Sequence, residues 1–414
     1  MNLNEISGQR QLAFMGHFDY IREAGTEGER RAALTIQREL ENFGIDSHLE
    51  EFAFDTWKSV EAVFTVTKPY EKTYKAAVYL GSGSTPEGGF DAPFLYVENG
   101  DDISLSYAKG KIVMINEVLF YDNYESLIQA EPLAFLVICG SPIDQGEDLL
   151  PADRVLRSKN KYPVPGGLIH YADAVEIVTK GASHAHLILK QERRNVVSQN
   201  VIARIEGSDK AEEILTLTAH YDSVPAGKGA YDNMAGGAII TELCRYFKAH
   251  TPRRTMEFIW FGAEEKGLRG SQNYAAVHKD ELKDHQFNMN VDLAGQLVGG
   301  TVLGVTASPE ACEVLWGYGR EIGLGMNILN RIWGSDSNTF AYNGVPAMTL
   351  NRDGFGMHTR HDTIELISPW SLQRSAQLLG YIADKLGNAE EFPIPRAVPE
   401  EFIEKLRLYF EDRE

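Results

Sequence analysis

The chain has 414 residues, 43% hydrophobic and 24% charged, the profile of a folded protein with two or three domains and ample core. Its 40 basic and 59 acidic residues leave a net charge of −19, which argues against nucleic acid as a partner, because phosphate backbones require a basic surface. The opening MNLNEISGQRQLAFMGHFDY lacks an apolar segment, no apolar run reaches membrane length, and Cys139, Cys244 and Cys312 form no CxxC. The expectation is a cytoplasmic protein with free thiols and no membrane partner.

In chain order, residues 28–43 read as a helix: Ala32, Ala33, Ile36, Leu40 and Phe43 recur at helical spacing and Gly44 follows as a stop. A strand, HLEEFAF, comes next. From 58 to 195 short β-rich runs (AVFTVT, KAAVYLG, PFLYVEN, GKIVMIN, LAFLVICG, AHLILK) alternate with turns such as STPEGG, SPIDQGED and YPVPGG, and one helix, YADAVEIVTKG, precedes the last run. This stretch reads as an inserted small β-rich domain, 58–195, with residues 1–57 and 196–414 forming the other domain. From 196 onward strands (NVIARIEG, EILTLTAH, TMEFIWFG, FNMNVDL, VPAMTL) alternate with helices at 234–249, 267–279, 308–323 and 369–387. Alternation of that kind implies an α/β fold, a three-layer sandwich with a mostly parallel central sheet. A Pro-rich linker, FPIPRAVP, and a charged amphipathic helix close the chain.

Seven acids and histidines sit at the ends of these strands or in the loops beside them. His220 and Asp222 end LTLTAHYDS; residues two apart on a strand point the same way, so His220 is able to bind a metal while Asp222 holds its other ring nitrogen, although H-x-D alone also fits a surface turn. Asp232, in GAYDNMAGGAII, fits either a helix N-cap or a carboxylate shared by two metals. Glu264 and Glu265 follow WFGA. Two adjacent acids exceed what helix capping requires, and their functional reading gives one a metal and leaves the other as a general base. Asp292, in the apolar strand NMNVDLAG, needs a cation or hydrogen-bond donors. In GFGMHTRHDTIELI, His358 is favoured over His361, because Thr359, Asp362 and Thr363 are able to tie the loop through side-chain to backbone bonds and fix the angle of His358. Together these residues suit a cage for two zinc ions, with Co(II) or Mn(II) as substitutes, and hydrolysis of a peptide or amide bond by a metal-activated water.

In that combination the motifs resemble the co-catalytic di-zinc aminopeptidases, the family that includes bacterial leucyl aminopeptidases, glutamate carboxypeptidase II and the non-catalytic transferrin receptor. SDSNTFAYNGVPAMTL at 335–350 adds to the likeness, and the similarity spans roughly 1–57 and 196–387. The resemblance implies that Asp232 bridges both zincs, that His220 and Asp292 complete one site and Glu265 and His358 the other, that Glu264 is the general base, and that Asp222 orients His220. It also implies a cis peptide at Asp232–Asn233. Residues 58–195 resemble a protease-associated domain through GKIVMIN and VPGGLIHYADAVEIV. One departure stands out: several relatives carry Tyr before the last histidine ligand, where it stabilises an oxyanion, and this chain has Met357.

The leading expectation is an aminopeptidase acting on peptide or aminoacyl substrates with free α-amines. A carboxypeptidase or N-acyl amino acid amidohydrolase would keep the cage and add a cationic site, for which Arg331, Arg352 and Arg360 are candidates. A binding scaffold without catalysis and a single-zinc glutaminyl cyclase-like enzyme are further alternatives. Side-chain preference and oligomeric state are not encoded in any motif.

Overall fold

The computed structural model describes residues 1–116, 121–144, 146, 149–153 and 164–411; the turn segments SPIDQGED and YPVPGG and the last residues of the tail lie partly outside this set. Along the chain run α1 (Gly8–Met15), α2 (Glu27–Asn42), β1 (Ser47–Lys68), β2 (Lys72–Leu80), β3 (Phe90–Tyr96), α3 (Asp102–Leu105), β4 (Ile112–Ile115), α4 (Tyr121–Gln129), β5 (Ala134–Cys139), β6 (Ala152–Asp153), β7 (Gly166–His170), α5 (Tyr171–Thr179) and β8 (His184–Ile205). There follow β9 (Lys210–His220), α6 (Ala235–Ala249), β10 (Arg254–Phe261), α7 (Arg269–Val277), β11 (His285–Val291), β12 (Thr301–Thr306), α8 (Pro309–Glu321), β13 (Asn327–Asn330), α9 (Ser337–Tyr342), β14 (Ala347–Arg352), α10 (Pro369–Asn388) and α11 (Glu400–Glu411). Backbone packing divides the chain into two compact units, Met1–Phe54 with Val197–Glu411, and Asp55–Val196. No helix among the described residues is long and apolar enough to cross a membrane.

The first unit is a mixed α/β sandwich built on a mostly parallel sheet. Its strand order runs from the second half of β8 through β10, β9, β11, β14 and β12 to β13. The central four, β10, β9, β11 and β14, are mutually parallel, with antiparallel β8 and β12 flanking them. Strands in such a block are buried on both faces. Met256, Phe258 and Trp260 of β10 join one core with Phe14 of α1, Ile36 and Leu40 of α2, Ile239 and Leu243 of α6 and Leu379 of α10. Ile259 and Phe261, on the opposite face of β10, join another with Tyr274 of α7, Phe340 of α9 and Leu406 of α11. The helix expected over 28–43 is α2, entered through Thr26, whose hydroxyl accepts the Glu29 N–H.

The second unit is less purely β than its sequence texture suggests. Strands β3, β4, β5 and β7 are parallel neighbours, with β2 antiparallel to β7 and β1 antiparallel to β2. Alternate residues of β4 separate its two cores: Ile112 and Met114 pack with Ala174 and Ile177 of α5, while Val113 and Ile115 pack with Tyr124, Leu127 and Ile128 of α4. Helix α4 was not among the expected elements. Its apolar positions are few and local, and only the sheet face they cover makes them a helical stripe.

Candidate metal centre

The parity of neighbouring strands builds the site. On β9, Leu215, Leu217 and Ala219 enter the apolar core, so Thr216, Thr218 and His220 share the other face. On β11, Phe287, Met289 and Val291 take the same core, leaving Asn288 and Asn290, and the following Asp292, in step with the β9 polar row. The register pairs Asn290 with Thr218, and the Thr218 hydroxyl donates to Asn290 Oδ1 at 2.8 Å. His220 and Asp292 therefore emerge at one level from adjacent parallel strands. Phe261, the last residue of β10, is paired with His220, and the chain then runs through Gly262 and Ala263 to Glu264 and Glu265. All of these residues lie at strand carboxyl ends, where open α/β sheets place ligands.

Asp232 arrives from a non-helical turn before α6, and its peptide bond to Asn233 is cis. Asn233 Nδ2 donates to the Val291 carbonyl at 2.7 Å, and its Oδ1 accepts the Gly236 N–H at 3.2 Å, which fastens the turn to β11. A Cβ at Gly236 would lie 2.5 Å from that Oδ1, so the close approach requires glycine. Ala263, Leu293 and His358 all have positive φ (53°, 69° and 60°), and each is at or beside a candidate site residue. Left-handed backbone in non-glycine residues is costly and clusters at functional sites.

Asp232 divides its two oxygens between the two imidazoles. Oδ1 lies 3.2 Å from His220 Nε2, and Oδ2 lies 3.0 Å from His358 Nε2. His220 Nε2 also lies 3.4 Å from Asp292 Oδ1, and His358 Nε2 lies 3.1 Å from Glu265 Oε2. Two donor triads result, His220/Asp232/Asp292 and Asp232/Glu265/His358, each with its ligand atoms within 4.8 Å of one another. Glu264 joins His220 and Glu265 in a third such group. Asp222 Oδ1 faces His220 Nδ1 at 3.4 Å, and its carboxylate also accepts the backbone N–H groups of Glu264 (3.1 Å) and Glu265 (3.2 Å). The structure thus brings all seven sequence-selected residues together.

The electrostatics of the cluster call for cations. Burial would lower the pKa of His220, but the Glu264 charge and the bonds to Asp222, Asp232 and Asp292 outweigh it and hold the imidazole well above its ordinary value. Burial opposes His358 too, and Glu265 with Asp232 pushes it up to about 11. Burial raises Glu264 well above the carboxylate range, against the pull of His220. Several buried carboxylates crowd two imidazoles, and Glu265 Oε1 is buried without a hydrogen-bond partner. Imidazole nitrogen with hard carboxylate oxygen is the donor set of a divalent transition ion, so the residues present fit a metal.

Two expectations about the surrounding loops change. Thr359 ties the His358 loop as anticipated, donating to the Gly356 carbonyl at 2.7 Å and accepting the His361 N–H at 3.1 Å. Asp362 instead reaches out of its loop and accepts the N–H groups of Tyr231 (2.6 Å) and Asp232 (3.0 Å). Arg352, proposed for a substrate carboxylate, spends its guanidinium on the carbonyls of Gln296 (2.7 Å) and Leu297 (2.8 Å) and on the Thr301 hydroxyl. The Arg331 guanidinium lies 4.7 Å over the Trp333 ring. His361 joins none of the donor triads among the described residues; its ring lies 6.0 Å from that of Phe355. Sequence reasoning gave no role to Arg22, Glu29 or Asp336, which are buried around the centre. Asp336 lies in the 335–350 segment that carried the resemblance, whereas Arg22 and Glu29 stand in a polar N-terminal stretch with no motif to mark them.

A parallel sheet that presents two imidazoles and a set of carboxylates around one shared aspartate defines a metal-dependent hydrolase. Residues 200–383 match the model of peptidase family M28. Its curated relatives include carboxypeptidase Q of Bos taurus, 27% identical over 406 residues (91% of this chain, 84% of the relative), and aminopeptidase YwaD of Bacillus subtilis, 28% identical over 415 residues (94% and 86%). Among solved structures, BSAP, a zinc aminopeptidase from Bacillus subtilis, matches with a TM-score of 0.79 at 24% identity, covering 96% of this chain and 99% of that one.

Proposed function

We propose that this peptidase is a zinc-dependent aminopeptidase that holds two zinc ions and removes N-terminal residues from peptides. The observation that carries the reading is Asp232, whose two oxygens serve different imidazoles at 3.2 and 3.0 Å, as a carboxylate shared by two ions would. His220 and Asp292 would complete one ion's donors, and Glu265 and His358 the other's. Zinc, when bound, supplies Lewis acidity and makes water a competent nucleophile near neutral pH. Asp222 faces His220 Nδ1 and would fix its tautomer and orientation, and through two backbone N–H groups it sets the placement of the Glu264–Glu265 pair. The ion pairs of His220 and His358 run to Asp222, Asp232, Asp292 and Glu265; Glu264 takes part in none of them. We therefore assign Glu264 as the general base that takes a proton from the attacking water and passes it to the departing amine.

The relatives divide between aminopeptidase and carboxypeptidase names, and the engagement of Arg352 favours the first. A carboxypeptidase needs a free cation for the substrate carboxylate, and Arg352 is already engaged by three acceptors. An acid-rich centre attracts a free α-ammonium instead. The test pairs metal analysis with hydrolysis of aminoacyl anilides, free and N-blocked. Two zincs per chain and cleavage of free-amine substrates alone are expected. Activity confined to blocked or carboxylate-bearing substrates would transfer the protein to the carboxypeptidase or amidohydrolase reading. Glu264→Gln should keep its metals and lose roughly 10²–10⁴-fold or more in kcat; an active variant would remove Glu264 from the role of base.

A further inference from the structure

Arg22 is a fully buried guanidinium beside the metal centre, and it makes no direct ion pair in the described structure. All its hydrogen bonds go to backbone carbonyls. Nε donates to Tyr221 at 2.6 Å, Nη2 to Gly229 at 2.8 Å, and Nη1 to Lys228 and to Phe18 at 3.1 Å, with Tyr20 at 3.3 Å. Its own backbone is laced to the same strand end: the Arg22 N–H donates to Ser223 Oγ at 2.9 Å, and the Ser223 N–H donates to the Arg22 carbonyl at 3.2 Å. One side chain therefore spans two segments that must be held at a fixed separation. The first is Tyr221–Ser223, which contains Asp222 and directly follows His220. The second is Lys228–Gly229, three residues ahead of Asp232.

The junction has no slack. Gly229 has φ +58°, and a Cβ there would lie 2.4 Å from the Asp232 carbonyl oxygen, 2.7 Å from Ser223 Cβ and 3.0 Å from Arg22 Nη2. The planar fork of arginine suits such a task, because its five N–H donors are fixed relative to one another. Burial lowers its pKa to about 10, with Asp222, Asp362 and Asp232 pulling the other way, so the group stays charged at neutral pH. Those three carboxylates are within electrostatic reach of Arg22, although it bonds to none of them.

We propose that Arg22 is a positioning residue of the metal centre: it sets the separation between the strand end carrying His220 and Asp222 and the turn carrying Asp232, and its fixed charge offsets part of the carboxylate repulsion there. The inference rests on the metal-centre reading above. A purely structural role would cost stability and leave metal affinity alone. A positioning role couples the two, because a change in the separation moves Asp232 relative to His220. Outer residues that orient metal ligands commonly contribute about 10–100-fold in affinity.

The test is calorimetric titration of zinc into the metal-stripped full chain, with circular dichroism to establish folding, for wild type, Arg22→Met, Arg22→Lys, Ser223→Ala and Arg254→Met. Arg254 is the control: it is equally buried, but bonds Glu213 and the carbonyls of Leu386 and Ala389, none of them a residue of the metal centre. Arg22→Met is expected to weaken zinc by roughly 10–100-fold. Arg22→Lys, which keeps the charge without the fork, should fall between it and wild type, and Ser223→Ala should show a smaller loss. Arg254→Met should lose stability and keep wild-type affinity. If Arg22→Met fails to fold, the lysine and serine variants decide. Folded Arg22 variants with wild-type zinc affinity would overturn the proposal, as would an equal loss in Arg254→Met. A wild-type chain that binds no zinc would overturn the metal-centre reading itself, which is a separate result.

Discussion

Asp222 meets two demands with one carboxylate: it faces His220 Nδ1 and caps the N–H groups of Glu264 and Glu265. An asparagine would place an NH₂ against one of those N–H groups, so Asp222→Asn is expected to weaken zinc by about 10–100-fold, read by competition with a chelating dye. Glu29 shows how far a buried acid departs from solution behaviour. Burial, with the nearby Asp222 charge, raises its carboxyl to about 8, even though Ser198, Gly25 and Ala263 donate to it. The folded state thus binds a proton that the unfolded state has released, so stability falls as pH rises from the ordinary value of 4.5 to about 8. Glu29→Gln has no such proton to lose. Urea unfolding across that window should show wild type losing stability relative to the variant, and a pH-independent difference between the two would contradict the assignment. At this scale residue type and position on a strand end were legible, but partners were not. Asp362 was read as a tie within its own loop, and it binds Tyr231 and Asp232, more than a hundred residues earlier.

At the scale of elements, β10 announces itself as a nearly continuous apolar run, and β9, β11 and β14 as short segments in which apolar residues recur between Thr or Asn. Helix α6 follows Asp232 and starts where the Gly-Gly pair allows close approach. The Gly236 position makes a sharp prediction. An added methyl 2.5 Å from Asn233 Oδ1 must displace the side chain that bonds both Gly236 and Val291. Gly236→Ala should cost about 1–3 kcal/mol of stability by overpacking and should weaken zinc as well, since the displaced turn carries Asp232. Thermal unfolding of the metal-free and zinc-loaded forms separates the two effects. Elements β12, β13, α9 and α4 escaped the sequence reading. Each is short or only partly apolar, and each is stabilised by the sheet or core it joins more than by its own periodicity.

At the scale of the whole molecule, a net charge of −19 comes with a cluster of buried carboxylates around two imidazoles. Cations that bind only the folded chain stabilise it by mass action, about 2.7 kcal/mol at a hundredfold excess over Kd. Stripping the protein with a chelator is therefore expected to lower its unfolding temperature, and added zinc to restore it in a concentration-dependent way. An unfolding temperature indifferent to zinc would count against tight binding by the native state. High salt should narrow the gap between stripped and loaded protein to the extent that exposed charges contribute, because screening reaches the surface more than the buried centre.

Local signals in the sequence determined the α/β class, the identity of the strands that converge, and the seven residue types poised at their ends. Periodicity and turn chemistry act over a few residues, so they are written contiguously in the chain. The tertiary structure alone decided that Asp232 splits its oxygens between His220 and His358, that Arg352 is occupied, and that Arg22 and Glu29 from the N-terminal segment bond to the segments beside the centre. Those contacts join residues up to more than two hundred positions apart. They depend on strand register and loop closure, which no local pattern records.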